Sequence, residues 1–466
     1  MKNIVLENFR ELSNVPRCSF DQKRINEYLV NKAKQLGLDY DVDDELNIVI
    51  RKPATEDKKG HPGVILQGHM DMVCEKEDDS NHDFTKDPIE FIEKDGKLTA
   101  NKTTLGADNG IAIAMGFAIL QDENLSHPDL ELMITTNEEV GLIGANAVSE
   151  DFLKGKYLIN VDSEEEGILT AGCAGGNTLN SEFEIKREDF GKYFYRIAIN
   201  GFRGGHSGQD INKNHLNAIE STVKILKELS TRHNLRIVSL NGGTKHNAIP
   251  RNCELIIASE DEIKDDEINV DGFKQVEEKM EFKFEKVDEK TPMDEQSTEH
   301  ILNFLTTIPN GVVDMVKDSD DLDDLVETSL NQSIAKTEDD KFVFMVSIRS
   351  SVLDKIKEVE DLITNTTKSN NGIVKSEGFY EPWEYREDSE LRDKCLKVYK
   401  EVTGKDMQVN VIHAGLECAV FSKKYPDMDM ISIGPDMTGV HTPKETLDLE
   451  STARVYEFLK KLVESL

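Results

Sequence analysis

Two histidines and several carboxylates follow directly on short aliphatic runs in this 466-residue chain, where a sheet would present them at one edge. After Val64-Ile65-Leu66 comes Gln67-Gly68-His69-Met70-Asp71, and after Leu132-Met133-Ile134 comes Thr135-Thr136-Asn137-Glu138-Glu139. Asp162 follows Leu158-Ile159-Asn160-Val161, and His441 lies a short loop beyond Ile431-Ser432-Ile433-Gly434-Pro435. Asp108, in Leu105-Gly106-Ala107-Asp108-Asn109-Gly110, stands just before an Ala-rich segment. Singly, each has an ordinary explanation: a helix N-cap, a satisfied loop histidine, the solvated end of a strand. Together they concentrate negative charge whose burial is costly unless cations neutralise it. Nitrogen and oxygen ligands without sulfur suit Zn²⁺, with Mn²⁺ or Co²⁺ as substitutes. One histidine and one terminal carboxylate per ion, plus one bridging carboxylate, serve two ions. Two ions about 3.5–4 Å apart share a water, lower its pKa and clamp the oxygen of an attacked carbonyl, which is hydrolase chemistry. Asp71, two positions beyond His69, is placed to hold the imidazole tautomer; of Glu138 and Glu139, one can ligate and the other act as base.

The elements that must position these groups alternate. Helical spacing over 20–36 is followed by an extended stretch at 46–50. Three buried strands are expected at 63–66, 130–134 and 157–161, with a helix over 110–120 between the first two. That order predicts an α/β domain with a mixed, mostly parallel sheet, and ligands in such sheets bind beyond the carboxyl ends of the strands. After about residue 186 the pattern changes to a strand at 193–199, a helix at 216–229 and a strand at 253–258. The α/β alternation resumes from 388 with a helix at 391–402, a strand at 430–433 and a terminal helix at 449–462. The expected organisation is therefore a first domain of 1–186 and 388–466, interrupted by a module of 187–387. Its acidic runs, Glu260-Asp261-Glu262 and Asp318-Ser319-Asp320-Asp321-Leu322-Asp323-Asp324, read as solvated faces rather than ion cages.

The motifs together resemble a known family. Gly68-His69-Met70-Asp71-Met72-Val73, Gly106-Ala107-Asp108-Asn109-Gly110, Glu138-Glu139-Val140-Gly141, Val161-Asp162-Ser163-Glu164 and the late His441 are similar to those of the M20 metallopeptidases. The nearest branch is the aminoacyl-histidine, or cytosolic non-specific, dipeptidases. The resemblance runs from Val15-Pro16-Arg17-Cys18-Ser19 to His441-Thr442-Pro443-Lys444-Glu445 and includes His413-Ala414-Gly415-Leu416-Glu417-Cys418. It implies two zinc ions per subunit, one held terminally by His69 and Asp162, the other by Glu139 and His441, with Asp108 bridging. It further implies Glu138 as general base, Asp71 as the partner orienting His69, and a catalytic domain interrupted by an α+β lid or dimerisation domain. The expected activity is hydrolysis of unblocked L-dipeptides, Xaa-His dipeptides among them, by a homodimer joined through the lid.

Inside the interrupting module the resemblance points to three substrate-binding candidates. His206 lies in Arg203-Gly204-Gly205-His206-Ser207-Gly208, Asn247 in His246-Asn247-Ala248-Ile249-Pro250, and Arg349 in Val346-Ser347-Ile348-Arg349-Ser350. The histidine would stabilise an oxyanion, and Asn and Arg would receive a carboxylate. Single-lid relatives place an Asp-Ile-Arg-like strand soon after the Asn-x-Ile-Pro element; this chain has Ile257-Ala258-Ser259-Glu260 there and its arginine only at Arg349, as suits a longer lid. Glu417 is the candidate for holding the free α-amino group of a dipeptide, and His413 reads as a neutral cap.

Composition narrows the alternatives. Asp and Glu number 90 against 56 Lys and Arg, a net charge of −34 that repels nucleic-acid phosphates and anionic membrane surfaces. Six scattered cysteines without a Cys-x-x-Cys pair suggest neither a zinc ribbon nor a dense disulfide scaffold and fit a reducing cytosol. The N-terminal residues meet charge too soon to form a signal-peptide core, so a cytoplasmic protein is expected. No phosphate-binding Gly-x-x-x-x-Gly-Lys loop and no His-Glu-x-x-His helix offers another chemistry. Two readings compete with the dipeptidase: an aminoacylase-type amidohydrolase of N-acylated amino acids, and a non-catalytic metal-binding homologue.

Overall fold

The computed structural model describes residues 4–316 and 325–466; the acidic run at 318–324 and the first three residues lie outside them. The chain divides into two units, one running to Gly172 and resuming over Tyr385–Val411 and Leu416–Leu466, the other comprising Cys173–Glu384 and Ile412–Gly415. The change of unit precedes the shift of sequence pattern at 186. The strand Gly175–Glu184 lies before that shift, yet it hydrogen-bonds along its length to Lys341–Ser350 and Ile373–Tyr380.

The first unit is built on an eight-stranded sheet of β1 (Asp39–Val42), β2 (Ile48–Lys52), β3 (Val64–His69), β4 (Leu130–Thr135), β5 (Tyr157–Asn160), β6 (Ile168–Cys173), β7 (Gln408–Ile412) and β8 (Asp429–Ser432). The spatial order is β1-β2-β4-β3-β5-β8-β6-β7. The central strands β4, β3, β5 and β8 are parallel, while β1, β2 and β6 pair antiparallel with their neighbours. β3, β4, β5 and β8 are buried throughout, as continuous aliphatic runs require when both faces are covered. One cover is the helix Ala107–Gln121, apolar all round and buried over nearly all its length, whose Ile111, Met115 and Phe117 join Leu66, Leu132 and Ile159 in the core. The helix Glu390–Thr403 starts with Ser389 Oγ accepting from Arg392 N and stops at Gly404, whose φ of 75° closes it in the left-handed region.

Several elements of the first unit go beyond those expected from hydrophobic spacing, β1 and the hairpin of Phe91–Lys94 and Lys97–Ala100 among them. The helix Ile4–Leu12 buries Val5, Phe9 and Leu12, and β6 and β7 extend the sheet to its far edge, where β7 is short and only half-buried. Two of the six cysteines pair. Cys18 and Cys74 form a disulfide with Cα atoms 5.7 Å apart, and the other four are buried thiols. A separation of 56 residues carries no pairing signal; the pair meets because Cys18 and Met72 form a parallel bridge. No helix among the described residues is long and apolar enough to cross a membrane.

The second unit is α+β. Its nine-stranded sheet has the order Glu281–Lys286, Tyr193–Asn200, Cys253–Ser259, Leu235–Gly242, Val326–Thr337, Lys341–Ser350, Gly175–Glu184 and Ile373–Tyr380, with Gly311–Met315 also paired to Val326–Thr337. Helices Ala218–Ser230, Glu295–Thr307 and Leu353–Ser369 supply Ile219, Leu226, Ile301, Phe304 and Ile363 to a separate core. A two-residue ladder pairs His206 with Ala248.

Candidate active site

The carboxyl ends of the parallel strands converge as the order of elements requires. β3 ends at His69, the turn after β4 carries Glu138 and Glu139, the chain leaving β5 carries Asp162, and the loop after β8 brings back His441. Asp108 enters in the first turn of the buried helix. His69 Nε2 lies 3.1 Å from Asp108 Oδ1, 3.6 Å from Asp162 Oδ1 and 3.9 Å from Glu138 Oε2. His441 Nε2 lies 3.0 Å from Asp108 Oδ2 and 2.9 Å from Glu139 Oε2. Asp108 thus gives one oxygen to each histidine. The ligand atoms of His69, Asp108 and Asp162, and those of Asp108, Glu139 and His441, lie within 4.8 Å of one another.

The electrostatics of this cluster are those of a site short of cations. Burial foremost, then the charges of Asp162 and Glu139, hold the Glu138 carboxyl well above its ordinary range against the pull of His69. Burial together with Asp108 and Glu139 pushes Asp162 up to about 6. Hydrogen bonds to Asp108 and Glu139 push His441 up to about 11. Burial works to lower His69, but the Asp162 charge and the hydrogen bonds to Asp108, Asp162 and Asp71 carry it well above its usual value. Glu139 Oε1 is buried without a partner, an acceptor that a divalent cation would fill. The donor set, two imidazoles and three carboxylates without sulfur, fits two borderline-hard ions.

Asp71 is fully buried. His69 Nδ1 sits 3.1 Å from its main-chain carbonyl and 3.5 Å from its Oδ1. The carboxylate also accepts from the backbone N of Glu138 at 3.0 Å, from that of Glu139 at 3.4 Å and from Ser19 Oγ at 2.8 Å. One side chain therefore ties His69 to the turn that carries both glutamates. Asn109 Oδ1 accepts from His69 N at 3.2 Å while its Nδ2 donates to Val161 O at 2.7 Å, joining β3 to the segment before Asp162. Gly68 is required there, because a Cβ would run into Asn109 Oδ1 and the Ala112 methyl.

Two residues whose roles the sequence hid complete the frame. Glu445 accepts from Leu105 N at 2.7 Å, Gly106 N at 2.9 Å and Asp108 N at 3.2 Å. Arg17 donates to the carbonyls of Met70, Asp71 and Gly106. Both act on main-chain atoms, which leave no mark in the residue types around them.

Glu417 belongs to this unit and is fully buried. Its Oε2 accepts from Gln67 Nε2 at 2.5 Å and Thr135 Oγ1 at 2.7 Å, its Oε1 is buried without a partner, and burial pushes the carboxyl up to about 7.

The remaining candidates belong to the second unit. Gly208 N and Gln209 N both donate to His206 Nδ1, at 3.2 and 3.1 Å, so its proton resides on Nε2. Asp210 Oδ2 accepts from His206 N at 2.7 Å. Arg349 Nη1 donates to Tyr380 Oη at 2.9 Å, while its buried Nε has no partner. A Cβ on Gly208 would touch His206 Cε1 at 3.2 Å and Arg349 Cδ at 3.3 Å, so histidine and arginine converge on that glycine. His413, paired with Ser329 Oγ at 2.7 Å, is pushed down to about 3 by burial and by Arg349 and His206. Asn247 adjoins the same loop through its carbonyl, which accepts from Ser207 N at 2.9 Å.

The chain is similar throughout its length to proteins of one family. The description of peptidase family M20/M25/M40 matches residues 65–465. The cytosol non-specific dipeptidase of Escherichia coli (strain K12) is 35% identical over 470 residues, 98% of this chain and 96% of that one. The crystal structure of aminoacylhistidine dipeptidase from Vibrio alginolyticus superposes with a TM-score of 0.92 at 32% identity, covering 100% of this chain and 97% of that one. An aminopeptidase structure from Bacillus cereus shares the fold at a TM-score of 0.58 and 16% identity, over 100% and 98% of the two chains.

Proposed function

The chain belongs to peptidase family M20/M25/M40, and on that premise we propose that it is a two-metal dipeptidase that hydrolyses the peptide bond of unblocked L-dipeptides, Xaa-His dipeptides included. The observation that carries this reading is Asp108, which turns Oδ1 to His69 and Oδ2 to His441 and so offers a shared ligand to two ions. His69 and Asp162 would hold one, Glu139 and His441 the other. Zinc is the proposed metal, with manganese or cobalt as substitutes. When bound, two such ions lower the pKa of a shared water and polarise the carbonyl under attack.

The chain's own residues supply the rest. Glu138 takes a proton from the attacking water on a carboxylate oxygen and delivers it to the nitrogen of the leaving amine. Asp71 keeps that carboxylate in place by holding the Glu138 backbone, and holds His69 through Nδ1. In the second unit the His206 Nε2 proton is the donor proposed for the oxyanion, and Arg349 with Asn247 for the substrate carboxylate. Glu417, with an unpartnered buried oxygen, is the acceptor proposed for the α-amino group. Unchanged dipeptide kinetics in Glu417→Gln would remove that role. A homodimer through the second unit, in the cytosol, completes the proposal. Its support is the edge strand Ile373–Tyr380, which leaves Ile373 and Phe379 58% and 46% exposed. If His206 acts across such a dimer, mixing His206→Ala with Glu138→Ala subunits restores part of the activity.

The test is hydrolysis of free dipeptides, their N-acetylated forms and tripeptides by metal-depleted protein before and after zinc, with Glu138→Ala as control. Zinc-dependent cleavage confined to free dipeptides is expected. Cleavage of the acylated compounds alone makes the protein an aminoacylase, and metal uptake without turnover makes it a binding protein.

A further inference from the structure

Arg17 is 2% exposed, and its hydrogen bonds run to three main-chain carbonyls: Nη1 to Met70 O at 3.2 Å and Asp71 O at 3.3 Å, Nη2 to Gly106 O. Met70 and Asp71 directly follow His69, and Gly106 lies two residues before Asp108. The Gly106 peptide is gripped from both sides, by Arg17 at its carbonyl and by Glu445 at its N–H. Two glycines leave room for the guanidinium: a Cβ on Gly106, where φ is 69°, or on Gly110 would strike Arg17 Nη2. The Cys18–Cys74 disulfide and the Ser19–Asp71 hydrogen bond anchor the same segment beside the loop that follows β3.

A buried cation is an expensive brace if bracing is its only task, since apolar residues of similar volume often serve stability better. Burial pulls the Arg17 guanidinium down to about 10, against the raising influence of Glu445, Asp71, Asp108 and Glu139, so it stays charged at neutral pH. From this arrangement, and resting on the two-metal reading above, we infer that Arg17 is a positioning residue of the metal centre. Its planar fork fixes the carbonyls after His69 relative to the carbonyl before Asp108, and thereby sets where the first histidine meets the bridging carboxylate. A lysine would keep the charge but offers no rigid fork to span the three carbonyls.

The test is calorimetric titration of Zn²⁺ into metal-depleted protein, for the parent, Arg17→Lys, Arg17→Met and Gly110→Ala, with circular dichroism of each metal-free form. Arg17→Lys and Arg17→Met should both weaken zinc binding by about 10–100-fold, as losing the partner that orients a ligand does. Reloaded at saturating zinc, they should lose kcat with the KM for a free dipeptide unchanged. Parental affinity in Arg17→Lys overturns the inference, because charge alone would then suffice. Should the Arg17 variants fail to fold, Gly110→Ala leaves the charge in place while intruding on Nη2; unchanged zinc affinity in that variant overturns the inference equally. Failure of the parent itself to bind zinc overturns the two-metal reading and is thereby told apart.

Discussion

Histidine behaves in opposite ways in the two units. In the first, His441 faces Asp108 and Glu139 and is pushed up to about 11; in the second, His413 is buried near Arg349 and His206 and is pushed down to about 3. The first cluster packs imidazoles among carboxylates that resist ionising together, and a divalent cation relieves every one of those interactions. The second holds its imidazoles neutral around a guanidinium whose Nε is unsatisfied, and an anion relieves that. Residue type alone says nothing about this division. Neighbouring charge and desolvation decide whether a histidine cluster awaits a metal or a carboxylate.

The largest effects are expected at the first cluster. Chelation should reduce hydrolysis to background, and a divalent cation should restore it. Glu138→Ala should lower kcat by about 10²–10⁴-fold, the usual worth of a positioned general base, while zinc titration still shows both sites. Activity that survives chelation would mean that burial alone accounts for the raised Glu138 carboxyl, and hydrogen bonds to His69 and His441 alone for the lowered Asp108, with no ion involved.

The second cluster is sharpened by Arg349→Met. Losing a charged hydrogen bond to the substrate carboxylate costs about 1.5–3 kcal/mol, so kcat/KM on free dipeptides should fall about tenfold to a hundredfold. Dipeptide amides, which lack that carboxylate, should lose far less, and zinc affinity should not move. An equal loss on acid and amide would assign Arg349 to the loop that holds His206.

The two clusters are unequally legible in the sequence. His69, Glu138, Glu139 and Asp162 stand at the ends of uninterrupted aliphatic runs, and parallel pairing brings such ends together whatever the loops do. His441 and Asp108 follow from the same order of elements. Arg17 and Glu445 do not show, because they bind carbonyls and N–H groups that every residue carries. The Cys18–Cys74 pairing depends on a fold that brings distant segments together. In the second unit the sheet is antiparallel, and Gly175–Glu184 finds both its partners, Lys341–Ser350 and Ile373–Tyr380, far along the chain. Nothing local reveals that His206 and Arg349 meet at Gly208. The change of unit after Gly172, ahead of the pattern shift near 186, is hidden likewise, since a strand's partners, not its composition, decide which sheet it joins.

The smallest expected effect concerns Glu417, a buried carboxylate of the first unit that is not among the proposed metal ligands. Glu417 is raised from 4.5 to about 7 by burial. Below pH 4.5 folded and unfolded chains both carry the proton and burial costs nothing. Between 4.5 and 7 the unfolded chain ionises first, and the folded state loses stability as the pH rises, reaching the full loss above 7. At 1.36 kcal/mol per unit the ceiling is about 3 kcal/mol, and relaxation around the carboxylate brings the expected figure to about 1–3 kcal/mol. Glu417→Gln mimics the protonated form, and its amide can turn an oxygen toward Gln67 and Thr135. Metal-depleted Glu417→Gln should therefore be more stable than the parent in urea at pH 8 and no more stable at pH 4. A gain that is the same at both pH values would show that the glutamine merely packs better. A loss at pH 8 would show that Glu417 is held ionised by a partner, so that the charge surplus of the first unit ends at the ligands themselves.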